Sequence, residues 1–168
     1  MCIRDSFYCD YTSTNKVDTS VFVDGLEHNK IVFINGRIEK IDFDYEKKNQ
    51  IEIIDQSETI NRFSNNNSLS DLNNAFTSKC FKILVKKGYQ LLKPLIIYHT
   101  FNSKIWSKNI NLRLDFELNE DSSLRVIDLF NEASEKNFLN IFYNFLILHF
   151  PLDQSYKIYL KNFFQNLH

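Results

Sequence analysis

A mostly β fold built from layered short strands is what this sequence predicts, and three observations carry that expectation. Apolar and polar residues alternate strictly from Asn111 to Leu118. An Asn35-Gly36 pair separates two β-rich runs. Beyond Cys80, strand-like segments recur at intervals of roughly 13 to 16 residues with polar turns between them.

The first element from the N-terminus is the run Ile31-Val32-Phe33-Ile34, followed by Asn35-Gly36 and a second run opening on Arg37-Ile38. Asn-Gly between two such runs predicts a hairpin with a type I′ turn, because that turn needs positive φ at both central residues. Gly36 is therefore read as a turn residue. A phosphate-binding loop is excluded, since no glycine-rich repeat precedes a helix. Residues 55 to 68 are polar and end in Ser64-Asn65-Asn66-Asn67-Ser68, which predicts a linker. After it, Ser70 is placed to cap a short helix in which Leu72, Ala75 and Phe76 form one apolar stripe.

The predicted strands beyond Cys80 are Phe81 to Val85, Pro94 to His99, Asn111 to Leu118, Leu124 to Phe130, Asn140 to Leu148 and Ser155 to Phe163. In the third, Leu112, Leu114, Phe116 and Leu118 alternate with Asn111, Arg113, Asp115 and Glu117, so one face should be buried and the other wet. Tyr156, Ile158 and Leu160 alternate with Lys157, Tyr159 and Lys161 in the last. Turn residues are scarce, and the links are too short for crossover helices, which fits two strands per coil of a parallel β-solenoid. The pattern leaves a β-sandwich open as well.

Bulk properties exclude several functions. The chain has 168 residues, 43% apolar and 15% aromatic, enough for one modest core. With 20 basic against 21 acidic residues, the formal net charge of -1 leaves no electrostatic footprint for nucleic acid or an anionic membrane. Aromatic residues interleaved with lysine from Tyr156 to Phe164 are accordingly read as packing and not as a single-strand-binding platform. The greasiest stretch, Phe138 to Phe150, carries Asn140 and Asn144 and falls short of the about 20 apolar residues of a membrane span. No secretory leader is evident, so a cytoplasmic protein is expected. Met1 to Ser6 (MCIRDS) looks like a translated sequencing-adapter remnant and is expected to be artefactual.

Candidate site residues are few. Cys2, Cys9 and Cys80 form no Cys-x-x-Cys pair and imply neither a zinc knuckle nor a disulfide framework. Cys80 and His99 would need two more converging ligands to hold a metal, so a packed thiol and a strand-end histidine are expected. His28, His149 and His168 share no close spacing with each other or with a cysteine. Asp115 and Glu117 fall on the wet face, and Glu120 and Asp121 in a turn, so no acid–base pair is expected. Catalytic, cofactor-binding and metal-binding residues are all predicted to be none.

Three stretches resemble, in order, the SufD family of iron–sulfur cluster assembly proteins. Ile31 to Arg37 (IVFINGR) is similar to that family's Val-Phe-Val-(Asn/Asp)-Gly-Arg segment. Leu69 to Phe76 (LSDLNNAF) looks like its Leu-Asn-x-Ala-Phe stretch. Phe81 to His99 (FKILVKKGYQLLKPLIIYH) resembles the strand, basic-Gly turn, Lys-Pro and strand that open its β-helix. With NLRLDFELNEDSSLRVIDLF after it, the resemblance covers roughly Lys30 to Phe145, and the Asn-Gly-Arg hairpin favours SufD over its paralogue SufB. The resemblance implies a right-handed parallel β-helix start, preceded by a hairpin and a short helix. It divides the chain into an N-terminal region, 1–68, and a short helix with the first coils, 69–168, truncated relative to the family. It implies a scaffold component of the SufBCD complex, not an enzyme, paired with a SufB-like paralogue and a SufC-like ATPase. The iron–sulfur cluster would be handled by the full complex through residues beyond this fragment, with no cofactor of its own. Two other readings are a β-solenoid enzyme such as an acyltransferase, which would want a hexapeptide repeat not seen here, and a non-functional truncated reading frame.

Overall fold

Short runs of β-branched and aromatic residues build every element of the computed structural model, which describes residues 22–59, 71, 75–77, 79–101, 109–130, 138–147 and 162–164. The strands are β1 (Asn29–Ile34), β2 (Arg37–Asp42), β3 (Ile51–Asp55), β4 (Lys79–Val85), β5 (Leu95–Thr100), β6 (Asn109–Leu118), β7 (Val126–Phe130), β8 (Phe138–Ile147) and β9 (Asn162–Phe164). They form two open, mixed sheets, the first in the order β2-β1-β5-β7-β9 and the second β3-β4-β6-β8. The fold is mostly β.

Only the two N-terminal edges are antiparallel: β2 runs against β1 and β3 against β4. Every other pair is parallel. From β4 onward successive strands fall in alternate sheets, so each pairs with the strand two places on. The partners are offset by 33 residues at Lys79↔Leu112, 31 at Leu95↔Val126, 29 at Asn109↔Phe138 and 34 at Asp128↔Asn162. The strands on either side of the expected boundary at residue 68 share both sheets, through β1 with β5 and β3 with β4.

The Asn-Gly hairpin stands where its chemistry places it. Asn35 and Gly36 have φ of 55° and 76°, and Ile34 faces Arg37 across the turn. A register shift between Val32 and Phe33 bulges β2, and its middle residues Glu39 and Lys40 are exposed. A charged, bulged edge of this kind resists pairing with another chain. β3 was not among the predicted strands; Ile51 and Ile53 pack on the core while Glu52 and Ile54 face out. Of the last predicted strand, only Asn162 and Phe163 are described, and Tyr156, Ile158 and Leu160 lie outside the described residues.

Among the described residues, the short helix expected after Ser70 is not an element of the fold. Asp71, Ala75 and Phe76 have helical backbone, 72–74 lie outside the described residues, and no helix stands among the described elements. Ala75 and Phe76 are exposed, so the expected apolar stripe has no core to join at those positions.

The two sheets face each other across one core. Ile31, Phe33, Leu95, Ile97 and Val126 from the first sheet meet Phe81, Ile83, Leu112, Leu114 and Phe116 from the second. At about 1.5–3 kcal/mol for each large apolar side chain removed from water, this is the main stabilising contribution. The first sheet is covered on its other face too, where Phe22 packs on Val32, Ile96 and Tyr98. There Tyr98 Oη accepts the Val23 amide at 3.1 Å and meets His28 Nε2 at 2.7 Å, while His28 Nδ1 meets the Leu26 carbonyl. A carbonyl only accepts, so Nδ1 carries the proton and Tyr98 donates to Nε2. Both faces of β5 are thus buried, the usual condition of a parallel strand.

The second sheet corrects the expected wet face of β6. Asn111 and Arg113 are 8% and 7% exposed, and Cys80 on the neighbouring strand is 2% exposed. Arg113 tolerates this because its Nε donates to Asp115 at 2.7 Å, and charge-assisted pairing offsets the loss of water.

Turns stack as the strands do. Gly88 and Asp121, with φ of 69° and 58°, occupy matching places in the turns after β4 and β6. The Gly88 amide donates to the Glu120 carbonyl at 2.8 Å, the Asn119 amide to Val85 at 3.2 Å, and Lys87 pairs with Glu120. Glu46 ties the loop after β2 to the approach to β5. Its carboxylate accepts from Asn29 Nδ2 at 2.7 Å, Tyr89 Oη at 2.6 Å, and the Leu92 and Lys93 amides at 3.2 Å each. Burial pushes its carboxyl upward, but these hydrogen bonds outweigh that and hold it below the ordinary value.

Two stability predictions follow from this geometry. A Cβ at Gly36 would stand 2.5 Å from Ile110 Cγ2, whereas one at Gly25, also at positive φ, meets nothing within 4 Å. Gly36→Ala should therefore cost about 1–3 kcal/mol in urea unfolding and Gly25→Ala distinctly less. Glu46→Gln should cost about 1–3 kcal/mol at neutral pH. Because the folded carboxyl titrates below the ordinary glutamate range, its contribution is complete above that range and lost as pH falls through the lower folded value. The gap between wild type and Glu46→Gln should close on acidification; a gap constant with pH would contradict the clamp.

Candidate functional site

Alternation along the strands decides where the titratable side chains go. On β4, Phe81 and Ile83 point into the shared core, so Cys80 and Lys82 point to the opposite face of the second sheet. On β5, Leu95 and Ile97 point inward, and His99 with them. Cys80 and His99 thus lie on different sheets, one outside and one inside, and do not form a common site. No three His, Cys, Asp or Glu side chains converge for a metal ion among the described residues.

Cys80 is a packed thiol. Its Sγ lies 3.8 Å from Asp115 Oδ2, and its neighbour across the ladder is Arg113. Burial, then the Asp115 charge, push the thiol up to about 11, against a smaller opposing pull from Arg113. A thiol held in that form is neither a nucleophile nor a ready metal ligand. Asp115 and Glu117 lie on the same outer face, engaged by Arg113 and, at 2.9 Å, by Lys82. Glu120 is paired with Lys87 in the turn beside Asp121. None of the four has a second carboxylate as its recorded partner.

His99 occupies the most unusual environment. It is 2% exposed and stacked between two phenyl rings, Phe33 at 5.2 Å and 9° and Phe130 at 4.9 Å and 14°. Its Nε2 lies 3.5 Å from Oδ1 of Asp128, which is fully buried. Tyr143, reaching over from β8 in the other sheet, donates its hydroxyl to Asp128 Oδ2. Burial first, and the Asp128 carboxylate second, push the Tyr143 phenol far above its ordinary value, so it stays protonated. Both ring nitrogens of His99 and Oδ1 of Asp128 have no hydrogen-bond partner.

This His99–Asp128–Tyr143 cluster was not predicted. The signal for it was Asp128 within Val126-Ile127-Asp128-Leu129-Phe130, on the same face as Val126 and Phe130. A polar residue at a core-facing position is the informative observation in such a run. His28 is engaged by Tyr98, whereas Cys2, Cys9, His149 and His168 lie outside the described residues. No helix among the described residues is long and apolar enough to cross a membrane.

Cys80 should resist alkylation in the native protein and react freely once the chain is unfolded. Peptide mapping by mass spectrometry, which separates it from Cys2 and Cys9, checks this. Rapid native labelling at neutral pH would contradict the packed thiol. In comparison with known proteins, the chain matches no family model and no curated protein.

Proposed function

We propose that this chain is a scaffold component of an iron–sulfur cluster assembly complex of the SufBCD kind, and that its strands are the first coils of a right-handed parallel β-helix. The observation that supports this most is the parallel ladder between strands two apart, β4-β6-β8 and β5-β7-β9, with the chain alternating between sheets. Each circuit takes 29 to 34 residues, as two short strands per coil require. Connections between parallel strands of one sheet are almost always right-handed, which gives the handedness.

Three of the resembling stretches fall on structural units, whereas LSDLNNAF lies mostly outside the described residues. IVFINGR makes the β1–β2 hairpin, FKILVKKGYQLLKPLIIYH makes β4, its turn and β5, and NLRLDFELNEDSSLRVIDLF makes β6, its turn and β7. The described interior is filled mainly by packed aliphatic and aromatic side chains, and Asp115, Glu117 and Glu120 are held by cations on the outer face or in a turn. That arrangement suits a protein that works through surfaces offered to partners, a SufB-like paralogue and a SufC-like ATPase, in the cytoplasm and without a catalytic group of its own.

Affinity purification of the tagged chain from cells that make SufB-like and SufC-like proteins tests the proposal. Retention of both through a salt wash is the expected result. Recovery of neither, from a well-folded bait, would sink it.

A further inference from the structure

We infer that His99 and Asp128 hold one proton between them inside the core, and that the fold loosens when this proton is lost or a second is added. The inference does not depend on the scaffold reading. Among the described residues, three of the four buried side-chain polar atoms without a hydrogen-bond partner belong to this pair: His99 Nδ1 and Nε2, and Asp128 Oδ1. The two residues are 2% and 0% exposed, with 3.5 Å between Nε2 and Oδ1. A lone carboxylate or a lone imidazolium in such a place is costly, because water cannot reach it. One shared proton removes the problem in either of two ways, as imidazolium with carboxylate or imidazole with carboxylic acid. Both leave the pair without net charge.

The surroundings narrow the possibilities. Phe33 and Phe130 close off the two faces of the imidazole. Tyr143 supplies one donor to Asp128 Oδ2 and keeps its own proton, so it fixes the carboxylate without changing its charge. The nearest charged side chains of the flanking strands point elsewhere. Lys30 alternates with inward Ile31, Lys82 with Phe81 and Ile83, and Arg113, Asp115 and Glu117 with Leu112, Leu114 and Phe116. Among the described core-facing residues, Asp128 and Tyr143 are the titratable groups that face His99. The device straddles β5 and β7, the ladder that joins one circuit to the next, so its charge state bears on the cohesion of successive layers.

The test is urea unfolding of the full chain across a range of pH for wild type, His99→Phe, Asp128→Leu and the triple variant His99→Phe/Asp128→Leu/Tyr143→Phe. Each single variant strands a polar partner and should raise the unfolding equilibrium constant by roughly a hundredfold or more at neutral pH. The triple variant leaves nothing unpaired, continues the phenyl stack, and should regain most or all of that loss. The stability of wild type relative to the triple should be greatest at intermediate pH and fall towards both acid and alkali. A single variant that fails to fold agrees with the inference only when the triple folds. A His99→Phe protein as stable as wild type, a triple that recovers nothing, or a wild-type-to-triple difference independent of pH would each overturn it.

Discussion

Backbone pairing between parallel strands two places apart, with a strand of the other sheet between them, is the constraint on which the rest of this structure depends. A parallel strand cannot meet its partner through a tight turn, so the chain must cross to the other sheet and return before the amides of β4 find those of β6. That detour brings side chains of matching parity into columns. Ile31, Ile97 and Asp128 share one inward column, and Phe33, His99 and Phe130 another. Phe81, Leu114 and Tyr143 face them from the second sheet. Packing between such columns rewards like with like, which is why a planar imidazole lies flat between two phenyl rings.

The same constraint explains what happens where the ladders begin. A parallel strand with no partner on its outer side would present unpaired amides and carbonyls, and both sheets meet this with an antiparallel strand. For β1 the device is the hairpin turned by Asn35-Gly36, whose glycine also admits the methyl of Ile110 from the other sheet. For β4 it is β3, joined in register from Ile51↔Val85 to Asp55↔Phe81. Glu46 then binds the loop between these two edge strands to the segment leading into β5, so both beginnings are tied to the parallel part of the sheets.

Much of this was legible in the residues, and the gaps have physical reasons. The hairpin was readable because few residues other than Asn-Gly reach a type I′ turn. The inward face of β6 was readable because its alternation is strict, and four further strands emerged from their spacing. β3 was missed because five residues with two charges make a weak pattern, and its β character comes from pairing with β4. Direction of pairing was only half readable: parallel and antiparallel strands share a period of two, and the scarcity of turn residues pointed to parallel pairing while leaving a sandwich open. The outer face of β6 was misread for a related reason. Asn111 and Arg113 are polar, yet parallel sheets tend to be covered on both faces, and polarity alone does not say whether a partner such as Asp115 makes burial tolerable. The candidate site suffered most, because His99 in sequence is a strand-end residue and Asp128 one acid among apolar neighbours. Their meeting depends on the ladder.

A core of stacked aliphatic columns has a weakness that the polar cluster addresses. Sliding β7 by two residues along β5 keeps every side chain on its own face, and between Ile, Leu and Val such a slip changes the packing little. Asp128 makes the slipped arrangements unequal. Moved towards Leu95, its carboxylate would lie among aliphatic groups with no donor. Moved the other way, it would leave the Tyr143 hydroxyl, and Phe130 would come off the face of His99. The native register is the one in which Asp128 faces Ile97, accepts from Tyr143 and stands 3.5 Å from the imidazole. Burying these groups thus favours one alignment of β7 on β5 over its neighbours, a choice that aliphatic packing alone makes poorly.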